Sequence, residues 1–154
     1  MSSTQLATDF TVNRLDEMEA AFGGGFIRAR ASLGVGAFGM QLNLLPPNSG
    51  DAYPEHDHLF DGQEEVYLLL SGSADLHLPG RVVALDPDTF VRVGPATRRR
   101  LRSGPQGARV LVIGGVPGAA YEPAENSPLG GPEILPCPTA LSSLVPDSPD
   151  PQLP

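Results

Sequence analysis

The chain has 154 residues, with 18 acidic against 10 basic side chains, a formal net charge of −8 and no lysine. That charge argues against a nucleic-acid role, which needs a clustered positive field, and the missing lysine excludes a Schiff-base mechanism. Cys137 is the only cysteine, so no disulfide forms within one chain, and the length suits a single domain with its own core.

In chain order, the N-terminal stretch MSSTQLATDFTVNRLDEMEAAF has no basic segment leading into an apolar run. No apolar run approaches the roughly 20 residues of a membrane span. The expectation is a soluble, cytoplasmic protein with no membrane and no nucleic-acid partner. Residues 1–24 read as an N-terminal segment with a short helix at DEMEAAF, Asp16 to Phe22: acids in the first turn, good helix formers within, and Gly23, Gly24 and Gly25 to stop it.

Residues 25–116 read as strands. FIRARAS, GAFGMQLNLL, AYPEHDH, EEVYLLLS, SADLHLP, RVVALD, DTFVRV, TRRRLRS and RVLVIGG are short, several alternate apolar with polar residues, and Gly, Pro, Asn or Asp punctuates most gaps. Short strands without intervening helices indicate an all-β, antiparallel sandwich or barrel. From Pro117 onward the character changes, since ten of the seventeen prolines lie there. Residues 117–144 read as extended chain packed on the barrel, because Tyr121, Ile134 and Leu135 would otherwise be exposed. Residues 145–154 read as a disordered Pro-rich tail.

Two of the three histidines form His56-Asp57-His58. Residues two apart on a strand share a face, so both imidazoles converge on one point, as a metal ion requires of nitrogen ligands. Glu65 follows at the start of the next strand. Gln63 and Tyr67 share its face by parity, and Glu64 points the other way. Gln63 offers a carbonyl to a metal or a substrate. His77 lies off the apolar parity of Ala74, Leu76 and Leu78 and reads as a surface residue. Arg98, Arg100 and Arg102 read as surface ion-pair formers.

Gly50, the HxH pair, Glu65 and the closing Gly72 together resemble the first sequence motif of the cupins, with a longer gap before Glu65 in which Asp61-Gly62 looks like an extended turn. The resemblance implies an antiparallel jelly-roll β-barrel over roughly Gly36 to Gly115. It implies His56, His58 and Glu65 as metal ligands, and a homodimer. The stretch from Leu85 to Ser103 resembles the second motif. There Pro95 takes the family's proline position, Arg99 stands at the third histidine and Ser103 replaces an asparagine. Parity turns Arg99 toward the pocket together with Thr97 and Leu101.

A guanidinium has no free acceptor and stays charged, so Arg99 cannot ligate a metal. Two readings follow. In one, His56, His58 and Glu65 hold a divalent transition metal (iron, zinc, manganese, nickel or copper), and Arg99 and Gln63 bind a small polar or anionic molecule. Glu65, Arg99 and Tyr67 are then the catalytic candidates of a metal-dependent oxygenase or isomerase. In the other, Arg99 pairs with Glu65 and the chain is a non-catalytic, metal-free, small-molecule-binding protein.

Overall fold

Alternating apolar and polar residues make strands that are half buried, and within residues 9–134, the part of the chain that the computed structural model describes, they build one antiparallel sheet. The strands are β1 (Ala20–Ala21), β2 (Phe26–Ile27), β3 (Gly39–Leu45), β4 (Glu64–Leu78), β5 (Arg81–Leu85), β6 (Phe90–Val93) and β7 (Arg100–Gly115), with a short helix α1 (Ala29–Leu33) after β2. All pairings are antiparallel, in the order β1-β2-β3-β7-β4-β5, with β6 also on β4. The path does not return to β1, so the expected closed barrel is a strongly bent, open sheet instead.

The bend lies in β4 and β7, each of which joins two of the runs read separately from the sequence. Glu64 to Leu69 pairs with Val110 to Gly115, and Ala74 to His77 pairs with Arg100 to Ser103, with register shifts between. Bulges of this kind add a residue and turn the ribbon. The buried parity accordingly slips from Glu65, Tyr67 and Leu69 to Ala74 and Leu76 on β4. Gly72 and Gly107 meet at the bend with φ of +81° and +67°, and a Cβ on Gly72 would lie 2.1 Å from the Gly107 carbonyl oxygen. Only glycine fits so close a backbone approach. Both halves of the ribbon thus face one core of Tyr67, Leu69, Leu76, Leu101, Val110 and Val112, with Leu85, Val93 and two alanines.

The N-terminal segment departs from expectation. The helix expected over residues 16–22 is absent: a 3₁₀ turn at Leu15–Glu17, β1 and a second turn at Phe22–Gly24 take its place. Seven residues give few internal hydrogen bonds to offset the cost of nucleating a helix, whereas Ala20 and Ala21 gain ladder partners in Ile27 and Phe26. The FIRARAS strand likewise stops at Ile27. Ala, Arg and Leu are good helix formers, and Ala29–Leu33 coils into α1, ended by Gly34 at φ +78°.

Residues 117–134 carry no strand or helix. Buried Arg28 holds this stretch to the N-terminal segment, donating from Nε to the Asn126 carbonyl (2.9 Å) and from Nη2 to that of Gly131 (2.7 Å), and pairing with Glu19. Glu19 in turn accepts from the Gly130 N–H (2.7 Å). Leu135, Cys137 and the Pro-rich tail expected over 145–154 lie outside the described residues.

Candidate metal centre

AYPEHDH does not form a strand; it makes one isolated bridge. His56 and Arg99 face each other, His56 N–H donating to the Arg99 carbonyl (3.1 Å) and Arg99 N–H to that of His56 (2.9 Å). Two residues on, His58 N–H donates to the Pro95 carbonyl (2.8 Å). These bonds keep the stretch extended, so the two rings lie on one side of it, their centroids 5.3 Å apart. Glu65 enters from the first inward position of β4. One ligand atom each from His56, His58 and Glu65 lies within 4.8 Å of the others.

The hydrogen bonds of the rings set their tautomers. His56 Nδ1 is 3.1 Å from the Pro54 carbonyl, which can only accept. His58 Nδ1 lies 3.0 and 3.2 Å from the two carboxylate oxygens of Asp61. Both rings therefore carry a proton on Nδ1 and turn Nε2 to the centre. His58 Nε2 is buried without a well-aligned hydrogen bond, 3.2 Å from Glu65 Oε1. An orphaned, buried nitrogen beside a second imidazole and a carboxylate fits a divalent transition metal by donor type and by position.

Charge in the centre is tightly coupled. Burial pushes the His56 ring below its ordinary value, more than Glu65 lifts it. Burial also works against the His58 imidazolium, but Asp61 and Glu65 outweigh it and raise the ring to about 9. Burial would raise Glu65, yet His58, His56 and Tyr67 bring it down to about 2. Asp61, despite its own burial, is held below the usual carboxylate range by His58 and the Gln63 N–H.

Arg99 and Tyr67 stand behind Glu65 rather than beside a substrate. Arg99 is wholly buried, its Nε 3.7 Å from Glu65 Oε2 and its Nη2 directed to the Gly94 (3.1 Å) and Val93 (3.4 Å) carbonyls. Tyr67, also wholly buried, donates to Glu65 Oε2 at 2.6 Å. Neither lines the cavity in front of the centre, which corrects the expectation that both touch substrate and that Arg99 grips an anion. Arg99 does turn inward, but its Nη2 is held by the two carbonyls and its Nε faces Glu65, while Nε and Nη1 are buried without a hydrogen-bond partner.

That cavity measures about 870 Å³, within the range of small-molecule sites. His56, His58, Asp61, Gln63 and Glu65 line one side, and Phe22, Phe26, Tyr53 and Tyr121 give it aromatic walls. Asn43, Gln41 and Asn126 add amides, and no arginine side chain lines it among the described residues. Gln63 spends its Nε2 on Asp61 (3.0 Å). His77 is half buried on the far half of β4. Arg98 pairs with Glu55 (3.2 Å) and Asp57 (3.7 Å), and Arg100 (3.4 Å) and Arg102 (2.5 Å) pair with Asp51.

Sequence reasoning missed Asp61, Tyr53, Asn43 and the walls supplied by residues 22–26 and 121–127. Only Asp61 had left a signal, as part of the lengthened turn before Glu65.

No family model matches the sequence, and no curated protein does. Among solved structures, a cupin protein from Bacteroides fragilis is similar over 77% of this chain and 93% of its own, with a TM-score of 0.58 at 18% identity. A sugar phosphate isomerase of the cupin superfamily from Silicibacter pomeroyi is similar over 58% of this chain and 59% of its own (TM-score 0.48, 18% identity). A DMSP lyase from Ruegeria pomeroyi is similar over 55% of this chain and 41% of its own (TM-score 0.46, 23% identity). The first of these likenesses establishes the fold, which is that of the cupins.

Proposed function

We propose that this cupin-fold chain is a metal-dependent enzyme of the oxygenase or isomerase type, acting on a small, mainly uncharged polar molecule in the cavity beside Glu65. The observation that carries the reading is the convergence of His56, His58 and Glu65 with both Nδ1 atoms already bonded elsewhere, so that two Nε2 atoms and a carboxylate share one point. Two of only three histidines are committed to it.

His56, His58 and Glu65 would hold the metal, which supplies a Lewis acid able to polarise an oxygen of the bound molecule. The other groups bind and orient. Tyr53 and Tyr121 offer aromatic faces, and Asn43 and Gln41 offer amides. The Tyr53 phenol, raised by burial and by the nearby Glu65 charge, keeps its proton and stays a donor. The lining supports a polar ligand but gives no support to an anionic one, since Arg99 is turned away.

The test is elemental analysis of protein purified without a histidine tag. About one equivalent of a transition metal, lost in His56→Ala, supports the proposal; no metal in the wild type overturns it. A second reading, a metal-free binding protein, is favoured by the contacts of Glu65 with His58 (3.2 Å) and Arg99 (3.7 Å), which neutralise the carboxylate without a metal. A metal-free protein that retains a small molecule in native mass spectrometry would select it.

A homodimer belongs to the same proposal. Val66 and Leu70 on β4, Phe90 on β6 and Ile113 on β7 are exposed on adjoining strands, and a second copy of this chain would bury them. Light scattering that shows a monomer at micromolar concentration would overturn it.

A further inference from the structure

The turn between the HxH stretch and β4 is longer than the motif it resembles, and its extra residues are not idle. The Gly62 N–H donates to the His58 carbonyl (2.7 Å), closing the turn, and Gly62 takes φ +74°, which glycine adopts freely. The closed turn brings Asp61 back onto the ring of His58. Its Oδ1 lies 3.0 Å from Nδ1 and accepts from the Gln63 N–H (3.1 Å); its Oδ2 accepts from Gln63 Nε2 (3.0 Å). The carboxylate is thus held by donors from His58 and Gln63, and it lines the cavity beside the centre.

We propose that Asp61 is the positioning residue of this centre: it fixes the His58 ring with Nε2 toward Glu65, and its charge offsets the one that Arg99 brings. The inference rests on the metal-centre reading and extends it to a residue outside the ligand set. Two physical effects act together. A carboxylate on Nδ1–H selects one tautomer and one ring orientation and makes Nε2 a stronger donor. A cation 3.7 Å from Glu65 also opposes a second cation at the same carboxylate. With both imidazoles neutral, as ligands must be, Arg99 and Glu65 alone sum to zero charge. Asp61 makes the surroundings net negative and restores attraction for a dication. The lengthened turn and the arginine at the lost ligand position are, on this account, two halves of one arrangement.

The experiment measures zinc affinity of metal-stripped wild type, Asp61→Asn and Asp61→Ala by competition with a chelating dye. Asp61→Ala is expected to weaken zinc binding by roughly 10- to 100-fold. Asp61→Asn, which keeps an acceptor for the Gln63 N–H but not the charge, is expected to fall between. Affinities within about threefold of wild type in both variants overturn the proposal. A second readout needs no metal: nitrogen-15 NMR of the His58 ring in alkaline buffer, where it is neutral. The wild type is expected to carry the proton on Nδ1, and Asp61→Ala to move it partly to Nε2. An unchanged Nδ1 tautomer in Asp61→Ala counts against the role of Asp61 whatever the zinc result. A wild type that binds no zinc yet shows the Asp61-dependent tautomer overturns the metal reading and upholds the positioning one. The dispersion of the same spectra reports whether each variant is folded.

Discussion

His56 and Arg99 exchange a reciprocal pair of backbone hydrogen bonds, 3.1 and 2.9 Å long, and residues so paired send their side chains to the same face. The arginine side chain therefore leaves the backbone on the same face as the His56 ring. A guanidinium has no free acceptor and cannot ligate from there.

Arg99→His is accordingly expected to tighten zinc binding. It adds a neutral imidazole on the face that already holds His56 and removes a cation 3.7 Å from Glu65. An increase on the order of tenfold or more corresponds to about 1.4 kcal/mol or more. Isothermal titration of metal-stripped protein measures it, and an affinity equal to or below wild type would show that the Arg99 position does not address the metal.

Arg99→Met is expected to destabilise the metal-free protein. Glu65 is buried and its Oε2 would keep only the Tyr67 hydroxyl. Removing one member of a buried pair costs roughly 3–5 kcal/mol where the other charge is left uncompensated, and the loss here is expected to be smaller because His58 Nε2 stays 3.2 Å from Glu65 Oε1. A dication beside the same carboxylate restores part of this: a ligand at about 100 times its Kd adds roughly 2.7 kcal/mol. Urea melts with and without zinc should show a loss that zinc narrows more in the variant than in the wild type. Equal stability of the two proteins without metal would show that Arg99 does not balance Glu65.

These two expectations depend on features that differ in how visibly the sequence carried them. The convergence of His56, His58 and Glu65 was legible because they lie in two adjacent stretches whose faces follow from a period of two, and the inward turn of Arg99 followed from the same period. The bend was not legible. Gly72 reads as the end of a strand, and only its long-range meeting with Gly107 makes it a bulge inside β4. The cavity wall from residues 121–127 was hidden for a related reason. Irregular chain has no period to read, and it is held in place by contacts such as Arg28 with Asn126, 98 residues apart. Asp61 stood in plain view as a turn residue, but its distance from His58 depends on the hydrogen bond at Gly62.

The bend supplies a sharper test. In Gly72→Ala the added Cβ would fall 2.1 Å from the Gly107 carbonyl oxygen, at a φ of +81°. The left-handed conformation alone costs roughly 1–2 kcal/mol for a residue with a Cβ, and the obstructing atom is backbone, so the two strands must separate locally. A loss of several kcal/mol is expected in denaturant melts, with zinc affinity reduced as Glu65 on β4 shifts. A change under about 0.5 kcal/mol, the usual size for a surface substitution, would mean that the ribbon is not bent there.

Acid stability should reveal the clamp that holds residues 126–131, of which Asn126 and Ser127 line the cavity. The Gly130 N–H and the guanidinium of Arg28 hold the Glu19 carboxyl below its ordinary value. A group whose folded pKa is depressed binds fewer protons folded than unfolded, so its contribution is present above the unfolded carboxylate pKa and is lost as pH falls through the folded one. Thermal melts of wild type should therefore decline as pH falls through and below the ordinary carboxylate range, and Glu19→Gln should show a shallower decline there. Because Glu19 ties residue 130 to Arg28, hydrogen exchange at Gly130 and Gly131 should also quicken in the variant at neutral pH. An acid limb as steep in Glu19→Gln as in wild type, with exchange unchanged, would mean that Arg28 holds residues 126–131 through its carbonyl contacts alone.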